Sequence, residues 1–242
     1  MEYSSFDIRK YPVLAVKDGY KEWANTYEQT VQDEMDLKLL SKIRSISWTK
    51  INRALDLACG TGRIGVWLKE QGVAQIDGVD ITPEMLSKAK EKNVYSSLLN
   101  ADVLNTQLQD ETYDLCIQVL ADEHLADISP LYAEVSRMVK NNGYLIIIGY
   151  HPYFLMNGLI THFHKQNGEP LAIESYVHLF SDHVKAAYKS NFNLLEMDEG
   201  IIDSDWLSKK PKWKKYKNWP VSFSFAWQTP SSSIGNTPAS GK

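Results

Sequence analysis

Asp56 stands in Leu55-Asp56-Leu57-Ala58-Cys59-Gly60-Thr61-Gly62, where a short apolar run gives way to small residues. Ala58, Gly60 and Gly62 let the backbone approach a bound ligand with no bulky side chain between them. Asp80 follows about twenty residues after Gly60, the spacing at which a carboxylate accepts both hydroxyls of a ribose. Asp102, in Asn100-Ala101-Asp102-Val103, is placed to accept an exocyclic amine such as that of adenine. Together the three acids would hold an adenine nucleoside. Glycine loops of this kind serve dinucleotides and S-adenosylmethionine alike, and Gly60, Gly62 and Gly65 satisfy the dinucleotide spacing as well. Asp56 discriminates: a carboxylate at the loop entrance is unfavourable beside a pyrophosphate and favourable beside an ammonium that accompanies a sulfonium.

Other residues offer chemistry with less pattern behind it. His151, in Gly149-Tyr150-His151-Pro152-Tyr153, is a general base if an acceptor hydroxyl comes near, or a histidine satisfied by loop backbone. His162 and His164 share a face if they lie on a strand, but no cysteine or acid completes a ligand set, so no metal is expected. Two cysteines, Cys59 and Cys116, are too few for a disulfide framework and fit a reducing compartment. Lys209, Lys210, Lys212, Lys214, Lys215 and Lys217 surround Trp213 and Tyr216. Basic residues interleaved with aromatics can bind single-stranded nucleic acid. The chain nevertheless has 26 Lys and Arg against 30 Asp and Glu, a formal charge of −4. A solvated loop is therefore the expectation, and nucleic acid is not an expected partner.

The elements that must position these groups follow from periodicity. Apolar runs at 53–57, 75–80, 97–101, 115–120 and 144–149 alternate with helical patterns, as the βα units of a parallel sheet do. Thr82-Pro83 and Ser129-Pro130 each set a capping hydroxyl before a proline, and Asn142-Gly143 reads as a turn. Residues 20–46 read as a mainly helical cap, and 151–179 as an aromatic-rich insertion at the sheet edge. Ser181 is expected to cap a helix to Lys189, ahead of strands near 194–197 and at 221–227. One domain over 1–228 is expected, with a disordered tail at 229–242 rich in Ser, Pro and Gly. The first twenty residues show neither an h-region nor a span of ~18 apolar residues. A soluble cytoplasmic protein is expected.

Three acids at three successive strand ends would line one crevice, because ligands of open α/β sheets bind beyond the carboxyl ends of the strands. In this arrangement the chain resembles the class I S-adenosylmethionine-dependent methyltransferases, in particular the small-molecule branch that includes ubiquinone and menaquinone methyltransferase-like enzymes. The resemblance covers roughly residues 20–150 and, more loosely, the last helix and strands. It implies a Rossmann-like three-layer α/β sandwich with a mostly parallel seven-stranded sheet, the last strand antiparallel, and S-adenosyl-L-methionine as cofactor. Alanine replaces the commonest first glycine of that family's loop at Ala58. The resemblance places Asp80 at the ribose, Asp102 beside the adenine, and Ile81, Met85 and Val103 along it. It puts Gln118 and Val119 at the methionine end, and Trp23 and Tyr27 in the helix that closes over the cofactor. It offers His124 as a second candidate base, and Tyr153, Phe154, Met156, Phe163 and Tyr176 as a lining for an apolar or aromatic acceptor. O-methylation of a small molecule is favoured over N- or C-methylation. A nicotinamide-dependent oxidoreductase and a non-catalytic cofactor-binding regulator are the alternatives.

Overall fold

The computed structural model describes residues 1–30 and 35–231. Positions 31–34 of the predicted helical cap and 232–242 of the predicted tail therefore lie outside the described residues. The chain opens with β1 (Val13–Leu14), α1 (Val16–Trp23), α2 (Tyr27–Thr30) and α3 (Met35–Leu40). Strands and helices then alternate as β2 (Arg53–Leu57), α4 (Arg63–Glu70), β3 (Gln75–Asp80), α5 (Pro83–Glu91), β4 (Ser97–Asn100), β5 (Tyr113–Val119), α6 (Ser129–Met138) and β6 (Val139–Tyr150). The remainder is α7 (Pro152–Met156), β7 (His162–His164), β8 (Pro170–Ile173), α8 (Phe180–Lys189), β9 (Asn193–Ile201), α9 (Ser204–Lys209) and β10 (Pro220–Gln228), with a 3-10 turn at Pro211–Tyr216 before β10.

Seven strands form the main sheet in the order β4-β3-β2-β5-β6-β10-β9. The five strands from β4 to β6 pair in parallel, and β10 runs antiparallel to both β6 and β9. Alternation along each strand splits the apolar residues between two helical layers. Leu55 and Leu57 pack with Leu131, Tyr132 and Val135 of α6 and with Ala186 and Ala187 of α8. Ala54, Ile146 and Ile148 face the other way, onto Leu39 and Leu40 of α3 and Ile64 and Leu68 of α4. Burying each such leucine contributes on the order of 1.5–3 kcal/mol. The expected three-layer Rossmann-like fold is present, with the last strand antiparallel.

Several local expectations are corrected. Asn142-Gly143 lies inside β6, where Tyr113 is opposite Val139 but Leu115 is opposite Tyr144, so residues 140–143 bulge out of register. Asn142 keeps the turn-like φ of 59° within that bulge. Thr82 holds the N-cap position of α5 without a hydroxyl cap bond, and its N–H donates to Asp80 Oδ1 at 2.8 Å. Ser129 is not the cap either: it is the first residue of α6, after an N-cap at Ile128, and its N–H donates to Asp127 Oδ1 at 2.8 Å. Ser181 lies inside α8, and Asp182 Oδ2 accepts the Leu179 N–H at 2.9 Å.

The segment expected as an insertion does more than cover an edge. Its β7 and β8 join the amino-terminal β1 in a second sheet of order β1-β8-β7, with β1 and β8 parallel. Trp23 of α1 stacks on Phe163 of β7 at 5.1 Å between ring centroids. This ties the amino-terminal helix to the insertion above the carboxyl ends of β2 and β5.

Candidate active site

The turn after β2 places Ala58, Gly60 and Gly62 at φ 54°, 52° and 88°, three left-handed residues at alternate positions. A Cβ built on Gly60 meets no atom within 4 Å, so a side chain there would project into the cavity beneath it. The Gly60 N–H is fixed by Asp80 Oδ2 at 2.8 Å, and Asp80 Oδ1 takes the Thr82 N–H at 2.8 Å. Asp80 thus couples the glycine loop to the start of α5. Burial raises its carboxyl above the usual range, opposed by these two N–H groups and then by the Thr82 hydroxyl.

Asp56 is almost wholly buried and accepts the Tyr95 hydroxyl at 2.6 Å. Burial pushes its carboxyl up to about 7 against that hydrogen bond. Tyr95 can approach because position 65 is glycine: a Cβ there would stand 2.3 Å from Tyr95 Cζ. The third glycine of the dinucleotide-like spacing therefore serves an aromatic packed on α4.

Two cavities meet over this loop. The smaller, about 310 Å³, is lined by Asp56, Ala58, Gly60, Asp80, Ile81, Met85, Asp102, Val103, Val119 and His124, together with Tyr20, Tyr27, Arg63 and Leu120. The larger, about 600 Å³, shares Tyr20, Tyr27 and Leu120 with it and continues past Glu123, Tyr150, Phe154 and Phe163 to Trp213 and Tyr216. Leu120, at the junction, adopts φ 54°, a strained conformation for a branched residue and of the kind that gathers at functional sites.

The groups at the junction are paired in a defined direction. His124 Nδ1 lies 2.7 Å from the Glu174 carbonyl, which can only accept, so Nδ1 carries the proton. Nε2 then accepts the Tyr20 hydroxyl at 2.9 Å. Burial holds His124 below its ordinary value, which keeps it neutral. Beside it Glu123 is buried, with Oε1 accepting the Thr161 hydroxyl at 3.2 Å and Oε2 without a partner among the described residues. Burial, and then the neighbouring Asp122, raise its carboxyl to about 8.

The residues singled out from sequence divide accordingly. Asp56, Ala58, Gly60, Asp80, Ile81, Met85, Asp102, Val103, Val119, Tyr27 and His124 converge on the smaller cavity. Gly62 belongs to the loop beneath it but is not among the lining residues, since it packs against Ala89 and Tyr95. Trp23 lines the larger cavity instead, drawn there by its stack on Phe163. Gln118 lines neither: its side-chain oxygen accepts the N–H groups of Ala121 and Asp122 and holds the loop after β5. His151 also lines neither. Its Nδ1 accepts the Tyr153 N–H at 3.0 Å as the N-cap of α7, and its Nε2 lies 2.8 Å from Glu199 Oε1. One nitrogen thus caps α7 and the other faces a carboxylate of β9. Of the predicted acceptor lining, Phe154 and Phe163 reach the larger cavity, whereas Tyr153 packs on Trp219, Met156 is exposed and Tyr176 bonds Glu174.

Sequence reasoning passed over Tyr20, Arg63, Leu120 and Glu123. Asp36 is fully buried and grips Arg63 through both guanidinium nitrogens, which fixes that cation in the wall of the smaller cavity. Arg63 at the start of α4, just past the glycine loop, was a signal available in the sequence. Leu120 and Glu123 carry none, since only the path of the loop after β5 brings them to the junction.

A methyltransferase-domain family model matches residues 55–147. The malonyl-(acyl-carrier protein) O-methyltransferase of Hamiltonella defensa subsp. Acyrthosiphon pisum is 29% identical over 146 residues, which are 59% of this chain and 54% of that protein. A ubiquinone/menaquinone biosynthesis C-methyltransferase of Bdellovibrio bacteriovorus is 27% identical over 125 residues, 48% of this chain and 52% of that protein. The chain thus spans about half the length of these curated relatives. An S-adenosylmethionine-dependent methyltransferase from Mesorhizobium loti has the same fold, with a TM-score of 0.66 at 16% identity over 81% of this chain and 98% of that one.

Proposed function

We propose that this chain, which carries a methyltransferase domain on the class I S-adenosylmethionine-dependent fold, transfers a methyl group to a small acceptor held in the larger cavity. The observation that carries this reading is the meeting of two cavities at Tyr20, Tyr27 and Leu120, one walled by strand-end acids and a glycine loop, the other by aromatics. Bound in the smaller cavity, S-adenosylmethionine supplies an electrophilic methyl group on its sulfonium. Asp80 and Asp102 would accept its ribose hydroxyls and adenine amine, with Ile81, Met85 and Val103 against the ring. Asp56 and Arg63 would hold its ammonium and carboxylate.

O-methylation is the reaction these residues suit best. A hydroxyl acceptor at the junction can donate to the Tyr20 oxygen, whose own proton already points at the His124 Nε2 lone pair. Tyr20 and His124 then receive the acceptor proton as a relay, and His124, kept neutral by burial, is ready to take it. Glu123 is a second proton acceptor, favoured by its unpartnered Oε2 beside the larger cavity. The aromatic walls orient the acceptor and exclude water, where proximity and desolvation provide much of the acceleration. The test is transfer of a labelled methyl from S-adenosylmethionine into fractions of a metabolite extract by wild type and Tyr20→Phe. Labelling by wild type that falls ~10²-fold in the variant, as for loss of a positioned proton acceptor, supports the relay. Equal labelling by both proteins removes it.

A further inference from the structure

One end of the larger cavity carries positive charge that methyl transfer does not use. Arg9, Lys210, Lys212 and Lys215 all line it, in a chain whose formal charge is −4. Among the described residues Glu123 is the one carboxyl that lines it. No ion pair joins Arg9, Lys212 or Lys215 to an acid among the described residues. Their surroundings feel this: Lys210 is brought down to about 8 by burial and by Lys212. His162 is held below its ordinary value by burial and then by Arg9, His164 and Lys212.

Local geometry aims these groups into the cavity. Lys212 and Lys215 are three apart in the 3-10 turn Pro211–Tyr216, so they share one face of it, and Trp213 and Tyr216 share another. Both pairs line the cavity, whereas Lys209, Lys214 and Lys217 do not. Lys215 Nζ sits 4.6 Å from the Tyr216 ring centroid, and the Arg9 guanidinium lies 3.1 Å from His162 Nε2. These partners are rings without formal negative charge, which leaves the cationic heads able to take an anion.

We propose that the acceptor carries an anionic group, a carboxylate or phosphate on an apolar or aromatic body, and that Arg9, Lys212 and Lys215 bind that group. The body would lie against Phe154 and Trp213, whose rings stack at 5.4 Å. None of the four cations lines the smaller cavity, so the anion is an anchor held away from the junction and is not the atom methylated. This inference rests on the larger cavity being the acceptor site.

The experiment titrates the full chain, saturated with S-adenosylhomocysteine, with three probes of one aromatic body: 1-naphthoate, 1-naphthyl phosphate and the neutral 1-naphthamide. At least one anionic probe should bind about tenfold or more tighter than the amide, with the preference shrinking as salt rises. Whichever anion binds more tightly identifies carboxylate or phosphate. In the Lys212→Gln, Lys215→Gln double variant the preference should fall several-fold while S-adenosylhomocysteine affinity stays the same. Equal affinity for all three probes, or a preference unchanged in the variant, overturns the proposal. So does a single-stranded oligouridylate that binds through the same lysines and displaces naphthoate. If S-adenosylhomocysteine does not bind, methyl transfer falls on its own account, and naphthoate against naphthamide on the ligand-free chain still decides the anion site.

Discussion

Asp56 joins two opposed demands in one carboxyl. Burial raises it from an ordinary value near 3.9 to about 7, so between those limits the folded chain holds a proton that the unfolded chain has released. Stability from this group is therefore complete below about pH 4 and declines as pH rises to 7. Asp56→Asn keeps an acceptor for Tyr95 and removes the buried charge, so it should stabilise the ligand-free chain by ~2 to 4 kcal/mol at pH 8 and by little at pH 4. Urea titrations at the two pH values check this. The same substitution should weaken S-adenosylhomocysteine binding at pH 8 by roughly 10- to 100-fold, the loss of a charge-assisted partner for its ammonium. Tyr20 and His124 make a prediction in the other pH direction. His124 lies below its ordinary value, so a relay through it places the acid limb of kcat/KM below about 6.5. A limb near 8 instead identifies Glu123, and the Glu123→Gln profile would then lose it.

At the scale of elements, the turn from β2 into α4 is where strain and ligand approach meet. Ala58 holds φ 54° with a Cβ present, at a cost of roughly 1–2 kcal/mol. Ala58→Gly should relieve part of it and raise stability by up to ~1 kcal/mol, after the entropy that glycine costs. Gly65→Ala should do the reverse by about 1–3 kcal/mol, because a methyl there drives Tyr95 off α4 and takes the hydroxyl from Asp56. Thermal melts of both variants measure the two signs. Much of this level was legible from sequence. Alternation and turn signals located the strands from β2 to β6, and the acids at the ends of β2 and β3 and just after β4 lie on one cavity. Spacing alone could not say where side chains point once a segment leaves the sheet. His151 follows β6 on the expected side, yet the turn into α7 takes its Nδ1 and Glu199 of β9 its Nε2. Gln118 ends a strand beside the cavity and folds back onto the next loop. The lysines after α9 looked like one solvated run until a 3-10 turn sorted them onto different faces.

For the whole molecule, the second sheet matters as much as the first. Residues 13–14 and 170–173, far apart in sequence, pair in parallel and hold α1 and the 151–179 segment over the junction. Tyr20 and Trp23 on α1 and Phe163 on β7 thus close the larger cavity from above. Ligand binding to the folded state alone should raise stability, by about 2.7 kcal/mol at a hundred times Kd. For a chain of this size that is roughly 5 to 10 °C in Tm. The central claim is that the smaller cavity holds S-adenosylmethionine, with the carboxylate of Asp80 as its ribose anchor and loop clamp. Calorimetric titration of wild type and Asp80→Ala with S-adenosylhomocysteine, and of wild type with NAD, tests it most directly. The expected result is 1:1 binding of S-adenosylhomocysteine to wild type, a loss of about 30-fold or more in a folded Asp80→Ala variant, and no heat with NAD. Saturable binding of NAD in place of S-adenosylhomocysteine, or equal affinity in the folded variant, would contradict it.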